Sequence, residues 1–170
     1  QKANLPADLA ATIVNPGKSP KACYRCHFDK EAEFSMPFHH PVPEGRMSCG
    51  SCHDPHGPDM SKSAGLAMAR INDNCRSCHR READPHVFDH EAQREGCTTC
   101  HSVHGSVNDK LLVQNDNTLC LQCHAQGQIA GGDWIGTSSH RTRFAQSSSC
   151  WTAGCHTAPH GSNVNSHLRY

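Results

Sequence analysis

The chain has little of what an ordinary protein interior is made from. Apolar residues make up 35% of its 170 positions, aromatics 5%, and mean hydropathy is −0.67. Side chains alone would give a thin core at that composition. No apolar stretch is long enough to span a bilayer, so the chain is expected to have no transmembrane segment of its own. A basic excess is missing as well. The 16 Lys and Arg equal the 16 Asp and Glu and form no run, which argues against a nucleic-acid partner. A leader with a charged start and an apolar middle is not visible either, so Gln1 reads as the beginning of a processed chain.

Cysteine and histidine are abundant, at 12 and 15 residues, and they are not scattered. Five blocks have the form C-x-x-C-H: Cys23, Cys26, His27; Cys49, Cys52, His53; Cys75, Cys78, His79; Cys97, Cys100, His101; and Cys120, Cys123, His124. A sixth, CWTAGCH, keeps the order with two extra residues in Cys150, Cys155, His156. Random order would give about 0.07 C-x-x-C-H matches in this composition. Zinc ribbons also use paired cysteines, but they need no histidine after each second one. A disulfide framework needs no histidine at all. C-x-x-C-H is the attachment signature of c-type haem. Two thiols one turn apart add to the two vinyl groups of a porphyrin edge, and the adjacent imidazole reaches the iron. The reading is six covalently attached haems c, with the six block histidines as proximal ligands.

Six such groups would supply the apolar surface that the chain lacks. The expected fold is mostly irregular, with short α-helices wrapped around a haem array and little or no β-sheet. Folding should then depend on the cofactor. The haem propionates would make the holoprotein acidic despite a neutral polypeptide, with Arg25, Lys30, Arg141 and Arg143 as candidate partners.

The blocks recur in pairs, an internal repeat. Each repeat runs from a block through a spacer histidine to a second block that ends in x-x-H-G. The repeats cover 23–57, 75–105 and 120–161, after an N-terminal arm (1–22) and before a short C-terminal tail. Connectors lie between them, with a helical turn expected around Gly65–Ile71. Six further histidines recur in register and are assigned as distal ligands: His40, His90 and His140 in the spacers, and His56, His104 and His160 before the glycines. His39, His86 and His167 remain as alternatives. His56 lies three residues beyond His53, on nearly the same face of one turn, and cannot straddle one porphyrin with it. It must then serve a different haem, most simply that of its pair-mate, Cys23 and Cys26, although the sequence does not fix which distal histidine serves which haem. By the same argument His104 serves the haem of Cys75 and Cys78, and His160 that of Cys120 and Cys123. The spacer histidines then serve the second haem of each pair. Met36, Met47, Met60 and Met68 do not recur in register and read as packing residues, as do Trp134 and Trp151.

The stretch CYRCHFDKEAEFSMPFHHPVPEGRMSCGSCHDPHG resembles the DmsE/MtrA-type multihaem cytochromes, which share a doubled C-x-x-C-H motif. So do PHVFDHEAQREGCTTCHSVHGSVNDKLL, LCLQCH and CHTAPHGSN, so that the likeness covers roughly 15–163. Larger members carry ten haems, and this chain resembles the later part of one. The resemblance implies bis-histidine ligation and a stacked haem chain that moves electrons, some members doing so within an outer-membrane porin. Some extracellular cytochromes with similar paired motifs polymerise into conductive filaments, a second resemblance by architecture. The function expected is electron transfer outside the cytoplasm (periplasm, outer-membrane surface or extracellular) in anaerobic or extracellular respiration. The partners expected are other redox proteins, with copies of itself in a nanowire, or a porin, as alternatives. Enzymatic activity is not expected; the competing reading is a reductase with one open haem.

Overall fold

The computed structural model describes residues 19–54, 66–124, 134–135, 138–141 and 149–170. Most of the expected N-terminal arm, together with His56, Gly57, Met60, Gly65 and Arg143, lies outside the described residues. The polypeptide is mostly loop, with short helices and two-stranded ribbons. It divides into two compact units, residues 1–67 with 101–112 and residues 68–100 with 113–170. Among the described residues only Ala22, Phe34, Val42 and Ala158 form buried apolar positions.

In the first unit, α1 (Lys21–Tyr24) and α2 (Phe28–Phe34) frame the first cysteine block. Helix α2 starts with Asp29 and Glu31 in its first turn, where the helix dipole favours anions. It ends where the Ser35 hydroxyl donates to the Glu31 carbonyl at 2.8 Å and Pro37 follows. Its last residue, Phe34, packs against Tyr24 and against the ring of His104, with centroids 6.3 and 5.4 Å away. Strand β1 (Phe38–His39) leaves this corner and pairs antiparallel with a strand formed by Gly105–Ser106.

In the second unit, α3 (Leu66–Cys78) carries the third block, and α4 (Arg80–Ala83) follows it. The turn expected near Gly65–Ile71 thus belongs to a longer helix, because good helix formers from Leu66 to Arg70 propagate it into the block. Strand β2 (Phe88–Asp89) pairs antiparallel with a strand over Gly161–Ser162. With the Gly105–Ser106 strand as β3, α4 is followed in chain order by β2, β3, α5 (Asp116–His124), β4 (Trp134–Ile135), β5 (Ser138–Ser139) and β6 (Gly161–Ser162). Strands β4 and β5 form a local ribbon.

The register of these ribbons shows how the repeats interlock. Phe38 and His39 of the first repeat lie opposite Ser106 and Gly105, which follow the histidine at the end of the second. Phe88 and Asp89 of the second repeat lie opposite Ser162 and Gly161 at the end of the third. Both glycines are required by close approach. A Cβ on Gly105 would sit 1.9 Å from the Glu33 carbonyl oxygen. One on Gly161 would sit 2.7 Å from the His86 ring, and Gly161 also has a positive φ of 143°.

After each of these glycines the chain folds back as the same strap. The Ser106 hydroxyl donates to the Leu112 carbonyl at 2.5 Å, and the Ser162 hydroxyl donates to that of Arg169. Leu111 and Leu168 occupy the left-handed region, with φ of 58° and 54°. Ser102 N donates to Leu111 O at 2.7 Å, and Ala158 N to Leu168 O at 2.9 Å.

Gly105→Ala and Gly161→Ala should each destabilise the holoprotein by about 3 kcal/mol or more, since the obstructing atoms are backbone or a packed ring. At Gly50 an added Cβ would meet only the Ser48 hydroxyl at 3.7 Å, so Gly50→Ala should stay within about 1 kcal/mol of the parent in thermal melting.

Candidate haem-attachment sites

The first, second, third and sixth blocks are each closed on themselves by the backbone. The amide of the block histidine donates to the carbonyl of the first cysteine: His27 to Cys23 at 2.9 Å, His53 to Cys49 at 2.8 Å and His79 to Cys75 at 2.9 Å. That bond sets two sulfurs and one imidazole on adjoining positions of a single turn. The longer block closes in the same way, His156 N donating to Cys150 O at 3.0 Å. Its extra residues form a turn in which Gly154 N donates to Trp151 O at 2.9 Å, with Gly154 at a φ of 78°. The insertion is looped out, and the ends of the block keep the relation found in the others.

The loop is held from within the second unit by a residue that sequence reasoning missed. Asp116, at the start of α5, is buried, with 7% of its surface exposed. Its carboxylate accepts from the Cys150 amide at 3.1 Å and from the Thr152 hydroxyl at 2.8 Å, with longer bonds from the Trp151 and Thr152 amides at 3.4 Å. Burial alone would raise its carboxyl, but the bonds from Thr152, Ser149 and the amides outweigh it and hold it below the ordinary range. Asp116 so ties the sixth block to the fifth. The Asp116 carboxylate and the sulfurs of Cys120 and Cys150 lie within 4.8 Å of one another. Burial, with Cys150 beside it, pushes the Cys120 thiol up to about 12, and burial also raises Cys23, Cys100 and Cys150.

Three block histidines face a second histidine. The ring centres of His53 and His104 are 6.0 Å apart and inclined by 26°. Those of His90 and His124 are 6.1 Å apart at 17°, and those of His140 and His156 are 6.4 Å apart at 23°. Two imidazoles on opposite sides of one metal, each bound at about 2.0 Å through a nitrogen about 1.2 Å from its ring centre, have centres about 6.4 Å apart. The residues therefore fit an iron between the rings. Burial lowers the pKa of His53, helped by His104 and His27, and that of His124, helped by His90 and His156. Both shifts favour the neutral ring.

The ring orientations are set by a further shell of oxygens. Nδ1 of His40 bonds the Val103 carbonyl at 2.7 Å, that of His90 the Pro159 carbonyl at 2.8 Å, that of His101 the Lys110 carbonyl at 2.9 Å and that of His156 the His167 carbonyl at 2.8 Å. A carbonyl only accepts, so Nδ1 carries the proton and Nε2 the lone pair. His104 differs, its Nδ1 donating to the Glu33 carboxylate at 2.8 Å. The bonds from Lys30 and His104 outweigh burial and keep Glu33 below the usual carboxylate range. Lys30, expected from the sequence as a propionate partner, bonds Glu33 at 2.6 Å and Asp29 at 3.1 Å.

These ring contacts differ from two of the pairings expected from the sequence. His104 was assigned to the haem of Cys75 and Cys78, but pairing of β1 with β3 carries it to His53. His90 was assigned to the haem of Cys97 and Cys100; its ring faces His124 of the fifth block instead. His140 faces His156, the same partner that the repeat gives it.

The alternatives His39, His86 and His167 have other surroundings. His39 bonds the Met36 carbonyl through Nδ1 at 2.6 Å and Glu44 through Nε2 at 2.9 Å, and the Glu44 bond raises its pKa. An acceptor oxygen thus faces each of its ring nitrogens, an arrangement that favours the protonated ring. His86 packs its ring against Gly161. His167 contributes its backbone carbonyl to His156.

The doubled CXXCH motif family matches residues 39–84 and 90–128. The multiheme cytochrome MtrA of Shewanella baltica (strain OS185) is 35% identical over 156 residues, covering 89% of this chain and 46% of that protein. The chain thus spans about half the length of this curated relative.

Asp116→Ala leaves buried donors of the sixth block unanswered and should cost about 3 kcal/mol. Peptide mapping should show less haem at Cys150 and Cys155 than at the other pairs. A lowered carboxyl pKa contributes stability above the unfolded value, about 3.9, that is lost as pH falls through the folded value. The acid limb of the melting curve should therefore flatten in Asp116→Ala, while melting near neutrality drops by a constant amount.

Proposed function

Because the chain belongs to the doubled CXXCH family of multihaem c-type cytochromes, we propose that it is an electron conduit holding six haems c, each between two imidazoles. When bound, haem supplies an iron that takes up and returns one electron at a time, passing it to a neighbouring haem or to a docked redox protein. The cysteine pairs anchor each macrocycle at one edge, and the block histidines reach the metal from that side. The second histidines would hold the same iron, with the rings of His90 and His104 oriented by oxygens on Nδ1. The observation that carries this reading is the recurrence of one spacing, 6.0, 6.1 and 6.4 Å, in three separate histidine pairs.

A second axial imidazole leaves no position for substrate, which sets this reading against a reductase, where coordination must stay open. Covalent attachment of haem takes place outside the bacterial cytoplasm, and that is where we place the protein, with other redox proteins as donor and acceptor. Two arrangements extend it in space: a filament of copies, or a conduit seated in an outer-membrane porin. Electron microscopy of the native holoprotein distinguishes them, since filaments support the first and single particles that co-purify with a porin support the second.

Intact mass and pyridine haemochrome assays should give one haem for each of the six blocks. The oxidised protein should show only low-spin ferric signals, and the reduced protein should not bind carbon monoxide. A high-spin signal in the unaltered protein would sink the fully ligated conduit. His90→Ala and His140→Ala should each convert one haem to high spin and leave the others unchanged.

A further inference from the structure

Of the histidines whose Nδ1 partner is described above as an orienting oxygen for ligation, His40, His90, His101 and His156 meet neutral backbone carbonyls. His104 alone among these five meets a carboxylate, Oε2 of Glu33 at 2.8 Å. The other oxygen, Oε1, accepts from Lys30 at 2.6 Å, and Lys30 also reaches Asp29 at 3.1 Å. The His104 and Glu33 side chains are 23% and 29% exposed, so water screens the pair only in part. The arrangement is not general to the repeat. When Phe38–His40 is aligned with Phe88–His90, the position of Glu33 is occupied by Ala83.

An anionic acceptor on Nδ1 raises the basicity of the opposite nitrogen more than a carbonyl does, and it places negative charge close to the metal. Both effects favour the ferric over the ferrous state. We propose that Glu33 is a tuning residue for the site of the second block, holding its iron harder to reduce through His104, and that Lys30 moderates it. This rests on His53 and His104 being the axial pair. The chain would then have a redox step at a defined place near one end of its series of blocks, set by one carboxylate and not by a change of ligand.

The test is a spectropotentiometric titration of the holoprotein and its variants. Glu33→Gln keeps an acceptor for His104 and removes the charge. The absorbance share of one haem should move to more positive potential, by roughly tenfold in the oxidised-to-reduced ratio, about 59 mV for one electron. Lys30→Met removes the compensating cation and should move the same share in the opposite direction. A Glu33→Gln curve superposable on the parent overturns the proposal, as does a Lys30→Met shift of the same sign as that of Glu33→Gln. Should Glu33→Gln fail to accumulate, the sign of the Lys30→Met shift decides alone, and no shift or a positive one overturns the proposal. His104→Ala separates the premise from the inference. If it leaves every haem low-spin, the axial pairing fails and the proposal with it. If one haem becomes high-spin while Glu33→Gln shifts nothing, only the role of Glu33 fails.

Discussion

An imidazole that donates a proton from Nδ1 to an anchored oxygen has only Nε2 left with which to bind a metal, and the line along which it does so is set by that oxygen. Among the described residues, two ribbons and two fold-back straps bring such oxygens into place. The Lys110 and His167 carbonyls reach His101 and His156 because the chain folds back after each Gly-Ser pair. The Val103 and Pro159 carbonyls reach His40 and His90 because the two-residue ribbons align neighbouring repeats. Few apolar residues are buried among the described residues, and several of the long-range hydrogen bonds end on histidine rings.

The ribbons are short, yet they decide the connectivity of the molecule. Two of them join the spacer of one repeat to the end of the next, with a glycine at the crossing where no side chain fits. The first ribbon carries His104 to His53, so a histidine from the second repeat lies against a block of the first. In the third repeat the spacer strand β5 pairs instead with the local β4, and His140 faces a histidine of its own repeat. The same sequence word thus has two outcomes, according to which strand lies alongside.

This is also where reading the sequence succeeded and where it stopped. Block spacing encodes a local closure between a cysteine carbonyl and a histidine amide, and a local bond is legible from order alone, even across the insertion in the sixth block. The loop character and the short helices followed from composition in the same way. The partners of His90 and His104 were not legible, because periodicity gives register but not whether exchange runs within a repeat or between repeats. His39 and His40 could be told apart only once the oxygens around each were placed. Asp116 and Glu33 carried no signal, since each acts on residues far along the chain through one carboxylate.

On the proposed pairing, the crossing between repeats would have a consequence in time. In a chain that emerges from its N-terminus, the second block is out well before His104. A haem joined to Cys49 and Cys52 at that stage would have His53 beside it and would wait for the fourth block before His104 could settle there. On that pairing attachment would run ahead of ligation, whereas the last block, whose His156 faces His140 of its own repeat, would have no such wait.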